Sequence, residues 1–94
     1  MKIIIVGAGK VGEYLFTDLN TDDNDIILIE KRQAILNEML SKYDIMGISG
    51  SGTNYEVLEE AGVEDSDIFI SVTESDEVNI ISCIFAKNMG AKYT

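Results

Sequence analysis

Short, continuous apolar runs alternate along the chain with stretches in which apolar residues return every three or four positions. Ile3 to Val6 is β-branched and unbroken, the pattern of a strand covered on both faces. Val11, Leu15 and Leu19 follow at helical spacing, with Lys10, Glu13 and Asp18 between them. The turn formers Asn20 to Asp25 close that helix. Ile26 to Ile29 repeats the strand pattern, and a second helix is predicted from about Arg32 to Lys42, with Ile35, Leu36, Met39 and Leu40 on its apolar stripe. Asp44 to Ser49 reads as a third strand with Gly47 inside it. After a turn at 50–53, Thr53 and Glu56 have capping-box spacing for a helix over 54–61, which Gly62 would cap. Ile68 to Val72 is a fourth strand. The last helix is predicted from Asp76 to Met89, ended by Gly90. Its stripe is Val78, Ile81, Phe85 and Met89, widened by Ile80 and Ile84. Residues 91–94 would begin a fifth strand.

Strict alternation of buried strands and helices predicts an α/β fold, a parallel sheet with helices on both faces. The sharpest motif is Gly7-Ala8-Gly9-Lys10-Val11-Gly12, a G-x-G-x-x-G between a predicted strand and a predicted helix. In that setting Gly7 permits the tight turn, Gly9 lets backbone approach a pyrophosphate, and Gly12 lets helix and sheet pack closely. The helix N-terminus then presents free amides and a positive dipole end to the anion. Glu30 follows the second strand directly, placed to accept from both adenosine ribose hydroxyls. Such a carboxylate repels a 2′-phosphate and favours NAD or NADH over the phosphorylated forms, although Lys31 and Arg32 stand beside it. Together these features predict a Rossmann-like doubly wound sheet. The bland alternative is a turn that serves only chain geometry, with Glu30 a solvated strand end.

Composition narrows the chemistry. The chain has 94 residues, seven Lys plus Arg, seventeen Asp plus Glu, and a formal charge of −10. That charge opposes binding to nucleic acid and to anionic lipid. The length suits one domain or a piece of one. A doubly wound domain continues past a fourth strand, so the element count favours the piece. No apolar run approaches the ~20 residues a bilayer crossing needs. The single Cys83 fits a reducing compartment, and the cytoplasm is the expected location. There is no His, the usual neutral-pH general base, and no Tyr followed four residues later by Lys. Cys83 reads as packing, and Asp76 with Glu77 as complements to a helix dipole. Catalysis is therefore not expected, and no metal site is assigned.

Three further features fall at predicted strand ends, where open α/β sheets bind ligands. Ser51, within Gly50-Ser51-Gly52, could meet adenine or simply turn the chain. Thr73 and Glu74 face the same crevice, and Thr73 could equally cap the next helix. Asn79 stands in that helix's first turn. Ten acids lie between Lys42 and Lys87 with no Lys or Arg among them. They read as a solvated face, or as a surface for a basic partner or a divalent cation.

Residues 3–12 resemble the opening of the regulatory domains of potassium transporters and channels known as KTN, RCK or TrkA-N domains. The resemblance continues through Val57 to Asp67 and is strongest from Ser71 to Lys87, in Val72-Thr73, Asp76-Glu77-x-Asn79 and Ala86-Lys87. It implies a cytosolic regulatory subunit, peripheral to the membrane through a potassium transporter partner. It implies that NAD or NADH, or in some members ATP or ADP, controls gating, and that the chain assembles into dimers or rings. Carried over by position, Gly7, Ala8, Gly9, Lys10 and Val11 would cradle phosphates, Glu30 would hold ribose, and Thr73 and Glu74 would contact the ligand. Gly50-Ser51-Gly52-Thr53 stands where the family commonly has Gly-Asp-Ala-Thr, so the acid that would accept from the adenine amino group is absent. Two other readings remain: the cofactor half of an NAD-dependent dehydrogenase, and an assembly module that has lost its ligand.

Overall fold

The computed structural model describes residues 1–94. Four strands form one parallel sheet: β1 (Lys2–Val6), β2 (Asp25–Glu30), β3 (Met46–Ser49) and β4 (Ile68–Ser71). Between and after them run α1 (Lys10–Leu19), α2 (Gln33–Lys42), α3 (Tyr55–Glu60), a single 3-10 turn (Val63–Asp65) and α4 (Asp76–Met89). The spatial order is β3-β2-β1-β4. The chain thus winds outward from β1 in one direction through β2 and β3, then crosses back to place β4 on β1's other side. The crevice at the C-terminal ends of β1 and β4 is the switch point of the sheet, where such folds take ligands.

Side-chain alternation along the central strands builds two cores. Ile4, Val6, Ile27, Ile29 and Phe69 point to one face and meet Leu58, Ala61, Val63 and Ala86 from α3, the segment after it and α4. Ile3, Ile5, Ile26 and Leu28 point to the other face, against Phe16, Leu36 and Met39 from α1 and α2. This explains why β1 and β2 read as unbroken apolar runs.

Several expectations shift. Val11 is 59% exposed, and α1 buries Gly12 and Phe16 instead. At about 100° per residue, Leu15, Leu19, Gly12 and Phe16 share one arc, and Val11 falls at its margin. Leu40 on α2 is likewise exposed. Thr53 and Glu56 form no capping box: Asn54 is the N-cap of α3, and its side chain accepts from the Val57 amide at 3.2 Å. β3 begins at Met46, and 91–94 make one parallel bridge, Ile68 to Tyr93, in place of a strand.

The largest departure is in α4. Its buried residues are Ser82 and Ala86, while Ile80, Ile81, Ile84 and Phe85 are exposed, Ile80 to 61%. The helix lays its small, polar side on the sheet because Ser82 Oγ donates to Ser71 Oγ at 2.9 Å, and Ser71 Oγ donates to Asn79 Oδ1 at 3.0 Å. Small residues allow this close approach, and the bulky apolar side is turned outward.

Candidate functional site

The strand ends open into a cleft of about 520 Å³, lined from all four strand-to-helix connections. Gly7, Ala8 and Gly9 come from the first connection, and Glu30, Lys31 and Arg32 from the second. Gly50, Ser51 and Gly52 come from the third, and Val72, Thr73, Glu74 and Ser75 from the fourth. The volume is in the range of small-molecule and cofactor sites. Lys10, Val11 and Gly12 do not line it. Lys10 and Val11 are exposed, and Gly12 is buried where α1 meets the end of β1.

The three motif glycines have separable causes. Gly7 takes φ +103°, and a Cβ there would stand 3.0 Å from the Val72 carbonyl oxygen. A Cβ on Gly12 would collide with the Gly7 carbonyl oxygen. Both are glycine for the fold's sake. Gly9 differs. Its φ is −75°, and an added Cβ would meet nothing within 4 Å. No neighbour requires a glycine there, yet the position lines the cleft at the N-cap of α1. The first-turn amides of α1 have no intrahelical partner, and together with the helix dipole they suit an anion. This bare stretch of backbone leaves open space at the helix N-terminus for an anionic group to approach.

Glu30 is 4% exposed and fully engaged. Oε1 accepts from the Ala8 amide at 3.0 Å and from Arg32 Nη2 at 3.1 Å. Oε2 accepts from the Arg32 amide at 2.8 Å and from Arg32 Nε at 3.1 Å. Burial pushes the carboxyl up, but the Arg32 side-chain and backbone bonds, the Ala8 amide and the Arg32 charge outweigh it and hold Glu30 below its ordinary 4.5. Because the folded value lies below the unfolded one, Glu30 contributes stability that is present above pH about 4.5 and is lost as pH falls through the folded value. An acid titration of Tm should therefore decline below that pH. Glu30→Gln should flatten part of the decline; an unchanged acid limb would contradict this role for Glu30.

The β4–α4 connection is fixed by Asn79. Its Oδ1 accepts from the Thr73 hydroxyl at 2.7 Å, the Thr73 amide at 2.9 Å and Ser71 Oγ, and its Nδ2 donates to the Thr73 carbonyl at 3.1 Å. Ser75, not Thr73, caps α4 by accepting from the Val78 amide. Thr73 is therefore tied to Asn79, which shapes the cleft wall from behind. Glu74 is exposed at the rim. Ser51 Oγ pairs with Thr53 Oγ1 at 2.9 Å and accepts the Thr53 amide, so its hydroxyl organises its own turn. Of the cleft's charged side chains, Arg32 is the one whose importance the sequence hid: its spacing from Glu30 shows proximity but not a two-pronged pairing. The acids after Lys42 form no cluster of three that could hold a metal ion. Burial raises the Cys83 thiol above its ordinary value, in keeping with a packing role.

The sequence profile described as "TrkA-N domain" matches residues 3–94. The chain belongs to the TrkA-N family. A protein named Trk system potassium uptake protein TrkA homolog, from Archaeoglobus fulgidus, is 45% identical over 92 residues, covering 98% of this chain and 21% of its own length. The Trk system potassium uptake protein TrkA of Haemophilus influenzae is 42% identical over 83 residues, covering 88% of this chain and 18% of its own length. This TrkA-N domain thus spans about a fifth of the length of these two relatives. The crystal structure of the TrkA-N domain of inner membrane protein ybaL from Escherichia coli superposes with a TM-score of 0.65 at 17% identity, over 98% of this chain and 84% of that one. That likeness shows the fold.

Proposed function

We propose that the chain is a nucleotide-binding regulatory module of a potassium uptake system. It takes NAD, NADH or another adenine nucleotide in the strand-end cleft and controls a membrane transporter without catalysis of its own. The observation that carries the nucleotide reading is Gly9, a glycine no neighbour demands, set at a helix N-terminus inside the cleft. Glu30 would hold the adenosine ribose, and Gly7 to Gly9 with the first amides of α1 would hold the phosphates. Ser51, Thr73 and Glu74 would line the remaining walls. The potassium link is supported by the relatives' names, and no helix is long and apolar enough to cross a membrane. The module would act on a membrane potassium transporter from the cytoplasmic side. Regulation would follow from linkage: the ligand moves the gate by the difference in its affinity for two conformations.

NADH, NAD, ADP and ATP, each at millimolar concentration, test the reading by thermal shift. A ligand at 100 times its Kd adds about 2.7 kcal/mol, so at least one should raise Tm by several degrees. A flat response to all four would overturn the reading.

Self-association belongs to the same proposal. Ile80, Ile81, Ile84 and Phe85 form an exposed apolar face on α4, and a second copy of this chain would bury it. The chain is expected to sediment as a dimer or larger, and Ile84→Glu as a monomer. A monomeric wild type would count against it.

A further inference from the structure

The four hydrogen bonds at Glu30 carry a consequence for how a nucleotide enters. A carboxylate offers about four lone-pair sites, and here each oxygen already accepts two bonds. Two donors are backbone amides, of Ala8 and Arg32, which the fold holds in place. The other two are Nε and Nη2 of one guanidinium, one on each oxygen. The Arg32 side chain is 51% exposed, whereas Glu30 is 4% exposed. A ribose diol needs the same two acceptor positions, one per oxygen. Guanidinium and diol cannot both hold them.

We propose that the Arg32 guanidinium is a placeholder for the ribose diol: it satisfies Glu30, leaves when a nucleotide binds, and sets how strongly the cleft distinguishes ribose from deoxyribose. The proposal rests on the nucleotide reading above. The guanidinium keeps a buried carboxylate paired at the strand end, where an unpaired one would be costly. Binding becomes an exchange of one two-pronged donor for another, so the diol gains less than its own two bonds are worth. The displaced guanidinium stays charged, and the carboxylate of Glu74 lines the same cleft. A ligand lacking one hydroxyl lets Arg32 keep a bond to the oxygen left free, which softens the penalty for the missing group. Arg32 is thus a specificity-determining residue that acts through Glu30.

The test is calorimetric titration of the chain and of Arg32→Ala with ADP and with 2′-deoxy-ADP. Both ligands carry the same phosphates, so any attraction of Arg32 for phosphate cancels in the ratio of their Kd values. The Arg32 backbone amide survives the substitution. In the wild type the deoxy ligand should bind less than about threefold more weakly, because Arg32 refills the vacant position. In Arg32→Ala the penalty should rise to about tenfold or more, because that oxygen loses a charge-assisted bond with no replacement. A ratio equal in the two proteins overturns the proposal while leaving the nucleotide reading intact. So does a large wild-type ratio that collapses in the variant, which would place Arg32 on the ribose itself. Flat titrations with both ligands in both proteins also overturn the proposal; the nucleotide reading falls only if NAD, NADH and ATP fail as well.

Discussion

Gly12→Ala is expected to lower Tm by roughly 10–25 °C, while Gly9→Ala leaves Tm within a few degrees and weakens nucleotide binding about tenfold or more. The two glycines share one motif, three residues apart, yet their surroundings assign them opposite duties. A methyl on Gly12 would strike the Gly7 carbonyl oxygen, which is backbone and cannot rotate away. Gly7 is itself pinned, since its amide donates to Ile29 at 2.9 Å and its φ of +103° suits glycine. α1 would have to lift off the sheet, at a cost of about 3 kcal/mol. Gly9 has ordinary extended geometry with open space beside it, so Ala there is neutral or slightly stabilising. The same methyl would stand where a pyrophosphate must approach, and affinity should fall by about tenfold or more. Thermal melts with and without NADH separate the two effects. Equal loss of stability in both variants would show that the motif serves chain geometry alone.

Glu30→Ala is the second large effect, because Glu30 joins fold and site. Its removal strands the buried Ala8 amide and frees Arg32, which should cost about 1–3 kcal/mol. The half-exposed ion pair adds little to that figure. The variant should also lose most of the stabilisation by NADH, since both ribose hydroxyls lose their acceptor. Denaturant melts give the first quantity and the change in ligand-induced Tm shift gives the second. A variant as stable as wild type, with an undiminished shift, would contradict both roles.

The elements themselves were legible in the sequence. Two-sided strands such as Ile3 to Val6 cannot be mistaken for surface, and α4 ends at Met89 with Gly90 as its cap, as the pattern predicts. Helix faces were less legible. Reading the stripe of α4 by hydrophobicity selected Ile81 and Phe85, because large apolar side chains usually face a core. The winning face is instead Asn79, Ser82 and Ala86, whose hydrogen bonds to Ser71 and Thr73 and small size let the helix sit close to β4. A hydrophobicity count weighs neither effect. The cleft was legible where backbone chemistry leaves a mark, as at Gly7 to Gly9 and Glu30. It was not where the placement of a long side chain decides the outcome. Arg32 could be seen as a neighbour of Glu30, but its bond to each carboxylate oxygen depends on the N-cap geometry at the start of α2.

In the proposed complex one nucleotide occupies the strand-end cleft, with phosphates at the glycine loop and ribose at Glu30. A two-dimensional amide NMR titration with NADH tests it residue by residue. Saturable shifts are expected, centred on Gly7 to Val11, Glu30 to Arg32, Gly50 to Gly52 and Val72 to Glu74, with Ile80 to Phe85 on the exposed side of α4 moving little. Absence of any shift at millimolar NADH and likewise with NAD, ADP and ATP, or shifts centred away from those four connections, would contradict it.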